Sequence, residues 1–343
     1  MSIAAVVLAA GAGSRFSSTA NKLRAELDSQ PVLLWSVDAA RGAGFDEVIV
    51  VVGDDAFDDI LTNDVHVLHA PQWMDGQSHS LQVAVSYARE KGHDAIVVGL
   101  GDQPLVGQST WNALRMADAS GIAVATYAGL RRPPTRLAAS LWDSLPTQGD
   151  EGARVLIRSS PELVSEVASA GSPLDVDTDD ALDAVRGRHI DRLAVTALLG
   201  REPMGPFEVV VRTNAGDPVV LKNYPLLANG RPMPTLYWLC GERESMLVGR
   251  LEAMKGVRRA EADLGLDVIN AAHERYREER DAILNAATSQ PAHRPTGGVG
   301  GTRNGVKCLH AHYGYWLAGG DDPVGQWVAD HLHEVDSSTW PAA

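Results

Sequence analysis

Five charged side chains stand beside strand-like apolar runs. Arg15 and Lys22 lie in "VVLAAGAGSRFSSTANKL" (residues 6–23), Asp102 in "GDQP", and Asp175 and Asp177 in "LDVDTDDAL". A glycine loop after a strand turns backbone N–H groups toward an anion, and a guanidinium with an ammonium beside it suits a triphosphate. A carboxylate at a strand's carboxyl end can hold Mg²⁺ against phosphates. The loop is neither of two familiar phosphate cradles. Lys22 is followed by Leu23 rather than Ser or Thr, and Phe16 stands where a dinucleotide fingerprint has its third glycine. Asp179 and Asp180 suit the first turn of the helix that follows, as capping acids.

These residues need a scaffold that brings distant loops together. Apolar runs recur at Ile3–Leu8, Glu47–Val52, Val65–Leu68, Ala95–Leu100, Ile122–Thr126 and Leu174–Asp177, with helical spacing at Val32–Ala43, Ser80–Lys91 and Ser109–Ala117. Continuous apolar strands alternating with helices predict an α/β, mostly parallel, Rossmann-like sheet with helices on both faces. Ligands of such sheets bind at the strands' carboxyl ends, which singles out the loop after Leu8 and the "GDQP" turn. Asp175 and Asp177, at strand spacing, are expected to share one face.

The pattern changes after residue 188. Residues 1–195 read as one domain, 196–206 as a Gly/Pro linker, 207–334 as a second α+β domain and 335–343 as a tail. In the second domain Phe207–Arg212 and Pro218–Lys222 read as a hairpin and Thr235–Leu239 as a third strand. Glu242–Ala287 reads as one or two helices, with Glu274, Glu278, Arg277 and Arg280 on a solvated face. A helix is expected to start near Asn304, after the glycines of "GGVGGTRNGVK". Gly300, Gly301, Arg303 and Lys307 then form a candidate anion site. Cys240, Cys308 and His312 make an incomplete metal set, and His310 points away from it. Asp322 before Pro323 reads as a helix cap.

The chain has 343 residues and a formal charge of −14. That charge argues against a nucleic-acid or anionic-membrane binder. Two cysteines imply no disulfide framework, and the opening is neither a signal peptide nor a membrane span, so a cytoplasmic protein is expected. The oligomeric state stays open.

In residues 1–195 the motifs "LAAGAGSRF…NKL", "GQSHSLQVAV", "GDQP", "GDEGARVLI" and "DVDT" occur in one order. Together they resemble the MobA-like nucleotidyltransferases, which include molybdenum cofactor cytidylyl- and guanylyltransferases. The resemblance implies Mg²⁺-dependent transfer of a nucleoside monophosphate from an NTP to a small phosphorylated acceptor such as molybdopterin. It implies that Leu8, Ala9, Ala10, Gly11, Ala12 and Gly13 line base and phosphates. Arg15 and Lys22 neutralise the triphosphate, and Ser80 lies in the nucleotide or acceptor loop. Asp102 is the main metal ligand with Asp177 as the second carboxylate, and Asp150 and Arg154 shape the acceptor side. "LAAG" resembles the cytidylyltransferases, which favours CTP over GTP. Ser17 stands where the family often has glycine, and Asp179 where it has proline; neither change removes a charged catalytic group. The second half, with "GPFEVVVR", "PMPTLYWLCG" and residues 297–329, resembles the bacterial DUF501 family, whose activity is unassigned. A nucleotide sensor, or a bifunctional protein with a separate phosphate-related activity in the second half, are the alternative readings.

Overall fold

The structure is a computed structural model that describes residues 1–11, 16, 21–117, 120–287, 291 and 293–336. The chain forms two units, divided between His189 and Ile190.

The first unit is built on a seven-stranded sheet of order β5-β4-β1-β6-β8-β7-β9. Its strands are β1 (Ile3–Ala9), β4 (Glu47–Val52), β5 (His66–His69), β6 (Ala95–Leu100), β7 (Ile122–Tyr127), β8 (Leu130–Ala138) and β9 (Val164–Ala168). A two-residue hairpin, β2 (Glu26–Leu27) with β3 (Gln30–Pro31), stands apart from it. β1 pairs in parallel with β4 and β6, β4 with β5, and β7 with β9; only β8 runs antiparallel, between β6 and β7. Alternation in β1 divides the core. Ile3, Ala5, Val7 and Ala9 face one layer, with Val32, Leu33, Val37 and Ala40 of α1 (Val32–Gly42) and Leu114 of α3 (Gln108–Met116). Ala4 and Val6 face the other, with Leu81, Ala84, Val85 and Ala88 of α2 (Gln77–Glu90). The α1 spacing i, i+1, i+5, i+8 puts those four residues on one stripe, which is why a largely apolar segment coils there.

Leu174–Asp177 is not a strand but irregular chain, anchored where the Val176 N–H donates to the Asp102 carbonyl at 2.9 Å. The strands that replace it in the sheet are β8 and β9. β8 carries Arg131, Arg132, Pro133 and Pro134, residues that disguise a strand at sequence level. Beyond them, α4 (Arg154–Ser159) is short, and α5 (Asp179–Leu199) opens with Asp179 and Asp180 in its first turn. The Thr178 hydroxyl accepts the Ala181 N–H there.

In the second unit, β10 (Phe207–Arg212), β11 (Pro218–Asn223) and β12 (Tyr237–Leu239) form an antiparallel sheet. Glu242–Ala287 holds three helices rather than one or two: α6 (Glu242–Ala253), α7 (Gly256–Leu264) and α8 (Leu266–Asn285). Lys255, in the left-handed region, and Gly265 break the run. α9 (Leu309–Leu317) and α10 (Pro323–His331) complete a core of Val220, Leu239, Leu247, Leu251, Ile269, Tyr276, Leu309 and Val328. Arg280 is not solvated: it is 1% exposed and donates to the Gly297 carbonyl at 2.7 Å. No helix among the described residues is long and apolar enough to cross a membrane.

Candidate active site

Lys22 opens a short 3₁₀ turn capped by Asn21, whose side chain accepts the Leu23 N–H. That turn aims a buried ammonium across the end of the sheet. Its Nζ donates to Asp102 Oδ2 at 2.5 Å and to Asp177 Oδ1 at 2.7 Å. Asp102 is delivered by the turn after β6, and Asp177 by the irregular chain ahead of α5. Burial disfavours the charged ammonium, but the two carboxylates outweigh it and hold Lys22 above the ordinary lysine range. Asp102 Oδ1 is buried and has no hydrogen-bond partner among the described residues. An ionised oxygen left in that state is costly unless something else completes it.

Asp175 departs from the expected pairing with Asp177. Its carboxyl accepts from Gln103 Nε2 at 2.6 Å rather than from Lys22, and irregular chain does not keep a two-residue period. Burial first, and the Asp102 charge second, push its pKa up.

A cavity of about 560 Å³ opens over Lys22 and Asp102, at the carboxyl ends of β6 and β1. Leu8, Ala9, Ala10, Gly11, Lys22, Ser80, Asp102 and Asp150 line it, gathered from five stretches of chain. Ala12, Gly13 and Arg15 lie outside the described residues. Ser80 belongs to the first turns of α2 rather than to a loop. Asp150 reaches the cavity because the 149–152 loop presses on Gly76. There φ is +115°, and a Cβ would stand 2.6 Å from the Gly149 carbonyl and 2.7 Å from Asp150 Oδ1. Arg154 is exposed at the start of α4 and is not among the residues lining the cavity. Sequence reasoning missed Trp73, Met74 and Gln77, which also line it. The one available signal was an aromatic side chain just ahead of a glycine-capped helix.

The second unit brings its candidates together differently. α9 starts at Leu309, five residues later than expected, with Cys308 at its N-cap. Its first amide donates to Glu252 Oε1 at 2.6 Å, and the Val306 N–H donates to Glu261 Oε1 at 2.9 Å. The glycine loop is equally self-contained. Gly298 N–H donates to the Thr302 carbonyl, Gly301 N–H to the Gly298 carbonyl and Val299 N–H to His273 Nδ1. Gly298 lies so close to His273 that a Cβ would stand 2.3 Å from that side chain. Lys307 Nζ donates to the Gly300 carbonyl, and Arg303 is exposed. The protein's own carbonyls thus take the Gly301 amide and the Lys307 ammonium of the expected anion site, and its carboxylates take the amides of Val306 and Leu309, while Arg303 stays exposed.

Cys240, Cys308 and His312 do not gather. Among the described residues no group of three or more His, Cys, Asp and Glu side chains is placed to hold a metal ion. Burial pushes the Cys240 thiol up to about 11. His312 instead pairs through Nδ1 with Asp322 Oδ2 at 2.7 Å, while Asp322 Oδ1 accepts the Val324 and Gly325 N–H groups and caps α10.

Fold and site together define an α/β protein of the nucleotidyltransferase type in the first unit. The family model of the MobA-like NTP transferase domain matches residues 5–165, and that of a protein of unknown function (DUF501) matches residues 209–330. The purine catabolism protein PucB of Bacillus subtilis (strain 168) is 31% identical over 195 residues, 53% of this chain and 94% of that one. The bifunctional protein GlmU of Agrobacterium fabrum is 33% identical over 124 residues, which span 35% of this chain and only 27% of GlmU. Rv0371c of Mycobacterium tuberculosis H37Rv, also solved in complex with manganese, is 30% identical. It covers 55% of this chain and 99% of its own, with a TM-score of 0.48, and 0.47 for the manganese complex. The chain belongs to the MobA-like NTP transferase family and carries a DUF501 domain behind its nucleotidyltransferase domain.

Proposed function

We propose that the N-terminal domain, which the sequence delimits at residues 1–195, transfers a nucleoside monophosphate from an NTP to a small phosphorylated acceptor, with release of pyrophosphate. The observation that carries this reading is Lys22 and Asp102 lining the cavity, with Asp177 paired to the same ammonium behind them and Asp102 Oδ1 unpartnered among the described residues. A resident ammonium between two carboxylates marks a place where positive charge is wanted. Asp102 and Asp177 would hold Mg²⁺, which supplies charge neutralisation on phosphate oxygens when bound. Two protein carboxylates suit that ion, because Mg²⁺ completes its shell with water and substrate phosphates.

No protein nucleophile is needed. An acceptor phosphate oxygen attacks the α-phosphorus, the bond to the bridging oxygen breaks, and pyrophosphate carries the electron pair away. Lys22 then offsets the charge that grows on the leaving group, and the walls from Leu8 to Gly11 and Ser80 hold the nucleotide in line. Arg15 would share the charge of Lys22, and Asp150 and Arg154 would shape the acceptor side. The LAAG run at Leu8–Gly11 favours CTP, and molybdopterin is the acceptor that the family resemblance favours. The test is thermal protection by each of the four NTPs, with and without Mg²⁺, followed by pyrophosphate release with phosphorylated acceptors. CTP should protect most and only with Mg²⁺; protection by none of the four would remove the reading.

A further inference from the structure

We infer that Trp73 is the platform on which the nucleobase of the NTP stacks, an inference that rests on the nucleotidyltransferase reading above. Asp102 follows β6, Leu8 to Gly11 close β1, and Trp73 lays its ring on Gly53, the residue after β4. The ammonium and the metal-type carboxylates stand at the β6 end, whereas an indole forms the wall at the β4 end. Two strand spacings separate those ends by about 10 Å, roughly the reach from an α-phosphate across a ribose to its base. A nucleotide with its phosphates on Lys22 and Asp102 therefore brings its base to the indole.

The indole is held for that use. Its Nε1–H donates to Asp54 Oδ1 at 3.1 Å. A Cβ on Gly53 would stand 3.0 Å from the ring carbons, so backbone closes against the ring there. A side chain fixed in this way loses little freedom when a ligand arrives. Stacking tolerates every base, because every base has a π face. Discrimination is left to Gln77 and Ser80, which line the same cavity and have no side-chain hydrogen-bond partner among the described residues.

The test compares a ligand that has a base with one that lacks it. The purified full chain is titrated calorimetrically, in Mg²⁺, with CTP and separately with inorganic tripolyphosphate. Trp73→Ala should weaken CTP by about 10- to 100-fold and leave tripolyphosphate unchanged, while Trp73→Phe recovers most of the loss. Equal weakening of both ligands would make Trp73 a structural residue and overturn the inference. So would CTP affinity unchanged in Trp73→Ala, with the transferase reading left standing. Binding of neither ligand by the unsubstituted protein would instead remove that reading and this inference with it.

Discussion

The two units meet the same sequence cue, a lysine near glycines, and resolve it in opposite ways. In the first, Lys22 is buried against Asp102 and Asp177 at the floor of a cavity, and one carboxylate oxygen is left without a partner. In the second, Lys307 tops a loop whose amides are claimed by Thr302, Gly298 and His273, and the next helix starts on Glu252. Glycines and cations therefore do not define an anion site by themselves. What counts is whether the surrounding fold has already spent the donors. An unsatisfied buried polar atom facing a cavity is a cost to the fold, and such costs concentrate where ligands bind.

The strongest way to break this contrast is at Asp102. Asp102→Asn should lower turnover about 100-fold or more, measured as pyrophosphate release. It should move the ligand-free melting temperature by less than about 5 °C, because removing the charge relieves the repulsion that pushes Asp175 up. A larger drop would assign Asp102 to the fold. The matching change in the second unit is Asp322→Ala, which removes the α10 cap and strands a buried His312. A stability loss of about 2–4 kcal/mol in urea denaturation is expected, in the second unit's transition. Lys22→Ala should weaken NTP binding by about 1.5–3 kcal/mol in calorimetry, and unchanged affinity would detach Lys22 from the phosphates.

Two histidines of the second unit sharpen the comparison through pH. Burial chiefly lowers the His273 pKa, so its contribution is complete above about pH 6.5 and is lost as pH falls toward the folded value. The Glu252 hydrogen bond chiefly raises that of His310, so its contribution is complete below about pH 6.5 and is lost as pH rises through the folded value. His310→Gln should therefore make the fall in melting temperature between pH 7.5 and 5.5 steeper. An unchanged slope would contradict the Glu252 pairing. The smallest effect belongs to the loop cations. Arg303→Ala and Lys307→Ala should each shift stability by less than about 0.5 kcal/mol and leave phosphate affinity unaltered. A measurable phosphate site lost in either variant would restore the anion reading of that loop.

The sequence by itself determined the α/β architecture of the first unit, because continuous apolar strands and stripe-patterned helices are local signals that the core only has to accept. It also determined the order of the family's motifs, the Asp322 cap before Pro323 and the acidic first turn of α5, all settled within a few residues. Tertiary structure alone decided the rest. β8 is a strand despite two arginines and two prolines, since pairing with β6 and β7 outweighs local propensity. The 174–177 run is irregular, its Val176 amide taken by the carbonyl of Asp102, a residue 74 positions earlier. Trp73 is fixed at the cavity by Asp54, and the chain around the second unit's glycine loop is tied by Glu252, Glu261 and His273. Those partners lie between 19 and 57 residues away in sequence. A side chain's chemistry is set by what folds against it, and at such separations no spacing rule carries that information.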